Sequence, residues 1–250
     1  ATSANPRFRL AHRRSLSGTM DPTITPLDRF LDSFFNLSVM QDYLPEIIDG
    51  FLLTCYLALE IVVTGLAMGL VLALIRTYNL WATNLVIVLF VDIMRALPPL
   101  VLILLMYFGL PGVGINMGGF TVTWLTLSLV LAAFAEEIFR AGILAVPKGQ
   151  WEAARSTGLG FGRALVYVIM PQAVRLTVPP LTNRTIAITK NTALGTVVGV
   201  GEILNQATTG QSFSGNASPL VLGAIAYLIL FVPVVIFGRW VETRFAWKKV

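Results

Sequence analysis

Two sets of side chains in this sequence have types and spacing suited to chemistry, and that chemistry is recognition of charge rather than bond making. The first set lies inside long apolar runs: Glu60, then Asp92 and Arg95 three residues apart, then Arg184 and Lys190 with Asn183, Asn191 and Thr192 beside them as neutral polar groups. Ionisable groups at such positions face a cavity or one another and mark the paths of solutes or ions. The second set is a short polar interlude, in which Pro147 suits a first helical turn, Gly149–Thr157 can be helical and Gly158 is a natural terminator. Trp151 and Ala154 share one face of that helix, while Glu152 and Arg155 offer charge on another. At two to three turns it is too short to span a bilayer and is suited to lie along a surface and meet a partner.

Other chemistries are excluded by what is missing. His12 is the single histidine, which rules out a multi-histidine metal site and any membrane-embedded Ser-His machinery. No G-x-x-x-x-G-K-[ST] occurs, so the chain does not hold ATP by a P-loop. Cys55 is the single cysteine, so no intrachain disulfide forms. Gly158, Gly160 and Gly162 imitate a phosphate loop, but no strand precedes them and an apolar run follows, which reads as a turn between helices.

The elements that must position these residues are membrane spans. Of 250 residues 56% are hydrophobic and 12% charged, against roughly 25% charged in a soluble domain. Neither Ala96 to Ala135 nor Ile203 to Gly238 contains an Asp, Glu, Lys or Arg, and each exceeds the roughly 20 residues one crossing helix needs. Five spans are predicted, at about 51–75, 83–108, 121–141, 164–188 and 217–238. The fourth is the least regular, with Pro171, Pro179 and Pro180 in it, and such breaks survive at depth where protein or a watery cavity satisfies the freed backbone groups. The stretch 27–40 is too short and too charged for a sixth span and reads as a surface helix.

Charge sets the orientation. The side that carries the polar interlude holds Arg76, Arg140, Lys148, Arg155, Arg163, Arg239, Arg244, Lys248 and Lys249, whereas the opposite loops near 109–120 and 199–216 hold no Lys or Arg. The positive-inside rule then puts the interlude and the C-terminus in the cytoplasm and the N-terminus outside, even though Arg7, Arg9, Arg13 and Arg14 would be exported. The net charge of +5 is accordingly read as orientation rather than as a nucleic-acid surface. The sequence begins at Ala1, and residues 1–19 are rich in Arg and Ser without an acid. A native extension, a processed segment and an added sequence with Met20 as the true start stand as alternatives. Residues 1–50 form the extracytoplasmic tail in this reading, and 51–250 the membrane domain.

Pairings are expected within helices. Glu136 and Arg140 are spaced i,i+4 beside Glu137 and read as a structural ion pair. Asp92 and Arg95 read as a mutual pair near a gate. Gly65 and Gly69 form a G-x-x-x-G that lets two helices approach within the assembly.

At this point the residues resemble a family. Glu152-Ala153-Ala154, three residues, Gly158, nine residues, then Val168-Ile169-Met170-Pro171 is similar to the E-A-A-x3-G-x9-I-x-L-P signature of ABC-importer permeases, with Val168 standing for Ile and Met170 for Leu. Over about residues 50–245, "MRALPPLVLILLMYFGLP", "EEIFRAGILAVPKGQWEAARSTG", "MPQAVRLTVPPLTN" and "KNTALGTVVGVGEI" resemble the polar amino-acid uptake permeases of the histidine/glutamine type. The chain departs from them at Arg95-Ala96-Leu97-Pro98-Pro99, where R-G-T-P-L is usual, and at Lys190-Asn191-Thr192-Ala193, where K-D-T-S is frequent.

The resemblance implies an all-α membrane protein with the type I ABC-importer transmembrane fold, five transmembrane helices, and a cytoplasmic coupling helix at about 147–158 between the third and fourth. It implies a non-catalytic subunit in a bacterial cytoplasmic membrane. Its partners would be a second permease, identical or related, two ABC ATPases that hold ATP and magnesium, a solute-binding protein outside, and the lipid bilayer, but no nucleic acid. In the coupling helix, Pro147, Trp151, Glu152, Ala153, Ala154, Arg155 and Gly158 would seat in a groove of the ATPase: Glu152 and Arg155 through charge, Ala153 and Ala154 by close approach, Gly158 as the turn. The implied cargo is a polar amino acid. Because no acid lies between Glu152 and Glu202 while Arg184 and Lys190 do, it is expected to be acidic or neutral, glutamate, aspartate or glutamine, unless Glu60 or Asp92 intrudes. The alternative function is a stand-alone channel or secondary carrier whose proline-broken helix lines a pore; a carrier would usually show internal repeats, and none is found.

Overall fold

The computed structural model describes residues 25–245, all of whose regular elements are helical. The arginines before residue 25, His12, Met20, Lys248 and Lys249 lie outside the described residues. The helices are α1 (Pro26–Phe35), α2 (Leu37–Thr77), α3 (Trp81–Ala96), α4 (Pro99–Gly109), α5 (Gly119–Ala145), α6 (Lys148–Ser156), α7 (Phe161–Ala164), α8 (Met170–Thr189), α9 (Ile203–Ser214) and α10 (Ser218–Phe245). Four helical stretches among them are long and apolar enough to cross a membrane. The pair α3–α4, bent by 105° at its break, makes five if the two halves are counted as one span. The boundary drawn at residue 50 falls inside α2, because α2 starts at Leu37 and runs unbroken past it, with Pro45 inside the helix.

α5 is the hub, packed against α2, α3, α4 and α8. Its contact with α2 follows from side-chain size. Ile47, Gly50, Thr54, Leu57, Ile61, Gly65, Gly69 and Ala73 recur every three or four residues and form the buried stripe of α2. A Cβ on Gly65 would stand 2.8 Å from the Leu131 side chain, and one on Gly69 2.5 Å from the Ala135 Cβ. The G-x-x-x-G therefore packs two helices of one chain, as small residues do where lipid provides no hydrophobic drive. Gly142 serves the same purpose toward α8, where an added Cβ would meet the Thr177 methyl at 2.2 Å.

Both predicted charge pairs are replaced. Glu136 is fully buried and accepts from one nitrogen of Arg76 on α2 at 3.0 and 3.1 Å, instead of pairing with Arg140. Arg95 meets Glu137 on α5 at 2.7 Å, and Asp92 stays exposed on α3. For Glu136, a partner on the packed neighbouring helix shares the buried space, whereas an i,i+4 neighbour along the same surface is worth only about 0.2–0.5 kcal/mol. The Arg95–Glu137 pair is part-exposed and follows from the packing of α3 on α5, which brings the two side chains together.

The irregular spans are irregular for traceable reasons. Leu97 precedes a proline and is extended (φ −93°, ψ 136°), Pro98 likewise (φ −58°, ψ 135°), and Pro99 starts α4, so the second span breaks at mid-course. Pro171 has no N–H to donate, and just before it Leu165–Ile169 forms a π turn in which Met170 N–H donates to the Leu165 carbonyl. Beyond α8 the chain tightens into a 3-10 stretch, Lys190–Val198, ending at left-handed Gly199.

Candidate functional site

A cavity of about 460 Å³ opens at the α3–α4 break. Arg95, Leu97, Pro98 and Pro99 line it from the break, Val130 and Phe134 from α5, Arg184 and Ile188 from α8, and Asn191 from the 3-10 stretch. The break exists because consecutive prolines cannot continue α3, and it brings the N-terminus of α4, which carries the positive end of that helix, to the cavity wall. Discontinuous helices whose N-termini meet a solute at depth are a recurrent way of building transport sites.

The electrostatics is organised around one aromatic ring. The Arg184 guanidinium carbon lies 3.6 Å from the centroid of Phe134, and that of Arg95 lies 5.3 Å from it. Arg95 is also paired with Glu137. With one carboxylate against two guanidiniums, the cavity region carries an excess of positive charge, and the ring holds Arg184 in place without neutralising it. Such a wall is suited to a carboxylate, and no acid lines the cavity itself.

Of the residues singled out in the sequence, Arg95, Arg184 and Asn191 come together here. The others do not line the cavity. Asn183 and Lys190 are exposed on the outside of α8 and its extension, and Thr192 is buried with its hydroxyl donating to the Thr189 carbonyl at 2.9 Å. Glu60 sits half-buried on α2. Sequence reasoning missed Phe134 and the pairing of Glu137. Neither has a local signal, since a phenylalanine in an apolar span looks like any other core residue.

The second candidate surface is α6. Trp151 stacks on Phe161 (centroids 5.2 Å, planes 20° apart), and Phe161 meets Tyr78 at the end of α2 (5.3 Å). Ala154 is buried, and Gln172 of α8 donates to the Gln150 side chain at 3.2 Å. One face of α6 is thereby fastened to this chain, and Glu152, Ala153 and Arg155 remain exposed on the other. Ala154, expected to approach a partner, packs inward instead, since the stripe that begins at Trp151 is the one that seals α6 to α7 and α8. Pro147 caps α6 rather than starting it, and Gly158 turns the chain at φ +86° with its N–H donating to the Arg155 carbonyl. Val168 and Met170, the conservative replacements in the signature, pack on the Ile143–Leu165–Ile169 cluster just behind.

A third cluster is a buried carboxylate. Glu202 caps α9, accepting from the N–H groups of Leu204 (3.0 Å) and Asn205 (2.8 Å) and from the hydroxyls of Thr196 and Tyr227. It joins the 3-10 stretch, α9 and α10 next to Gly50 of α2.

Comparison with known proteins adds the following. Residues 65–247 match the family described as binding-protein-dependent transport system inner membrane component. The chain is 30% identical over 210 residues to the probable glutamine ABC transporter permease protein GlnM of Bacillus subtilis, covering 84% of this chain and 97% of that one. It is 31% identical to the arginine transport system permease protein ArtQ of the same organism (84% and 96% covered) and 32% identical to the glutamine transport system permease protein GlnP of Escherichia coli K12 (84% and 97%). Among solved structures it is similar to an amino acid ABC transporter crystallised with histidines, with a TM-score of 0.75, 34% identity, and 82% of this chain and 96% of that chain covered. The MetNI methionine ABC transporter shares the fold at a TM-score of 0.64 and 22% identity, over 83% and 98% of the two chains.

Proposed function

Since the chain belongs to the family of binding-protein-dependent transport system inner membrane components, we propose that it is the permease subunit of an ATP-driven importer that carries an acidic or neutral polar amino acid through a bacterial cytoplasmic membrane. The observation that carries the substrate class is the pair of guanidiniums of Arg95 and Arg184 about Phe134 at the α3–α4 break, beside the positive end of α4 and with no acid in the cavity lining. The carboxylate of a neutral or anionic amino acid finds a guanidinium there, while a cationic side chain meets Arg184 with no acid in the lining to offset it. The names of the relatives, glutamine and arginine permeases, support amino acids as the class and leave the choice among them to the pocket.

The same reading gives the partners. A second permease completes the pathway, a solute-binding protein delivers the amino acid outside, and two ABC ATPases bind and hydrolyse ATP with magnesium, a task for which this chain has no P-loop. The exposed face of α6, Glu152, Ala153 and Arg155, seats in the ATPase. Its stacked inner face passes movement to the end of α2 through Trp151, Phe161 and Tyr78, and to α8 through Gln150 and Gln172. The N-terminus is outside and the C-terminus inside, with α6 in the cytoplasm.

The test is substrate-stimulated ATP hydrolysis and uptake by the reconstituted assembly across a panel of amino acids, for the native chain and Arg184→Gln. Preference for glutamate, aspartate or glutamine, weakened by the substitution, is the expected result. A native preference for arginine or lysine that Arg184→Gln leaves untouched would overturn the charge-matching reading. Uptake by this chain without any ATPase would instead favour a carrier.

A further inference from the structure

We infer that α1 is a membrane-interface helix whose phenylalanine face is immersed in the lipid layer at the surface where α10 begins. α1 is built to be a helix: Thr25 accepts from the Asp28 N–H at 3.1 Å while Asp28 accepts from the Thr25 N–H at 3.0 Å, a reciprocal cap. Leu27, Phe30, Leu31 and Phe34 follow the i, i+3, i+4, i+7 pattern of one face, and Phe35 borders it. Asp28, Arg29, Asp32 and Ser33 occupy the other side. No residue of α1 is buried, and the apolar face is open, from 38% exposure at Phe34 to 64% at Leu27.

Three observations say what covers that face. The first is its direction. α1 is fastened to the bundle through the backbone of its C-terminal end: Asn216 donates to the Asp32 carbonyl, Ala217 N–H donates to the Ser33 carbonyl, both at 2.8 Å, and Asn36 N–H donates to the Ser218 hydroxyl at 2.9 Å. With the helix held by its end, the phenylalanine face is left open by the rest of the described chain. The second is its level. From Ser218 to Arg239, α10 rises about 32 Å at 1.5 Å per residue, close to the roughly 30 Å of hydrocarbon. With Arg239 at one surface, Ser218 and the α1–α2 junction bonded to it are at the other. The third is continuity, because Leu37, Leu44, Ile48, Leu52, Leu59 and Val63 of α2 are also exposed at steps of four or seven residues, prolonging the apolar face into a stripe along a crossing helix.

A helix whose aromatic face and charged face are both open matches the boundary between lipid and water, one face to each. Its charges, Asp28 and Asp32 against Arg29, give no attraction to anionic headgroups, so burial of the aromatic and leucine side chains is the drive. α1 also precedes residue 65, where the family match begins. It acts as a collar that fixes the entry of α2 relative to α10.

The experiment uses the intact permease assembly in lipid nanodiscs, with Cys55→Ala and nitroxide labels on single cysteines at Phe30, Phe34 or Arg29. Substrate-stimulated ATP hydrolysis checks that each labelled assembly is intact. Collisions with oxygen, which concentrates in lipid, and with a water-soluble nickel chelate are compared. The expected result is a severalfold higher oxygen-to-nickel ratio at positions 30 and 34 than at 29. Nickel-dominated relaxation at all three positions would overturn the inference by placing the face in water. Shielding of 30 and 34 from both reagents would overturn it in favour of a protein partner.

Discussion

In the proposed pocket, the Arg184 guanidinium over Phe134 is the contact on which recognition would turn. Replacing Phe134 by leucine keeps an apolar side chain but removes the ring face, a loss of about 0.5–2 kcal/mol of cation–π attraction. The expected outcome is a rise of roughly 2- to 30-fold in the substrate concentration for half-maximal ATPase stimulation, with unstimulated hydrolysis unchanged. The Arg76–Glu136 pair has a different duty. Glu136 is fully buried, and removing its partner strands a carboxylate among α2 and α5, a penalty of about 3–5 kcal/mol. Arg76→Met should therefore lower the thermal midpoint of the purified assembly sharply, and the Arg76→Met/Glu136→Leu double change should recover much of the loss. A single variant as stable as native would show that the pair is dispensable. Glu136 and Arg140 stand i,i+4 in the sequence, as a surface ion pair would, yet helix packing chose Arg76 instead.

Each element is positioned by a few residues that admit no larger neighbour. Gly69 is the tightest on α2, and Gly69→Val would drive its Cβ into the Ala135 Cβ and the Ala132 carbonyl, which lie 2.5 and 2.8 Å from the ideal position. Loss of assembled protein on size-exclusion chromatography is the expected result, since backbone atoms cannot step aside. Gly158 is constrained by conformation rather than space. No atom lies within 4 Å of an added Cβ, but φ is +86°, where a β-branched side chain is strained. Gly158→Val should leave the spans folded, yet tilt α6 and lower both ATPase retention during purification and substrate-stimulated hydrolysis. Normal values of both would remove α6 as the coupling element. The π turn at Leu165–Ile169 and the break at Leu97–Pro99 are the other two irregular points, one behind α6 and one at the cavity.

For the whole molecule, orientation is the property everything else depends on. Cysteines introduced singly at the exposed Ser212 and Ser156, in a Cys55→Ala chain, should react oppositely with an impermeant thiol reagent on cells whose outer barrier is opened. Labelling at 212 and protection at 156 are expected, and the reverse pattern would invert the topology. The assembly should also transport only with its ATPases, since α6 supplies a surface and no nucleotide site.

Much of this architecture is fixed by properties that are local along the chain. Span length is read from apolar runs because each crossing must satisfy its own backbone in lipid. Gly158 announces the end of α6 because it tolerates positive φ. The second span, expected unbroken over 83–108, divides at Pro98 and Pro99, neither of which offers an N–H. The surface helix before the first span is visible in the same way, though its limits shift to Pro26–Phe35 and α2 extends up to Leu37. What is not local along the chain is which faces meet. Arg95 lies three residues from Asp92 but reaches Glu137, Ala154 turns inward because it shares Trp151's stripe, and Phe134 matters only because Arg184 arrives over it from α8. A long flexible cation can reach several carboxylates equally well in sequence terms, so its partner is selected by the rotation and crossing of packed helices, and those are set jointly by the small residues on α2, α5 and α8.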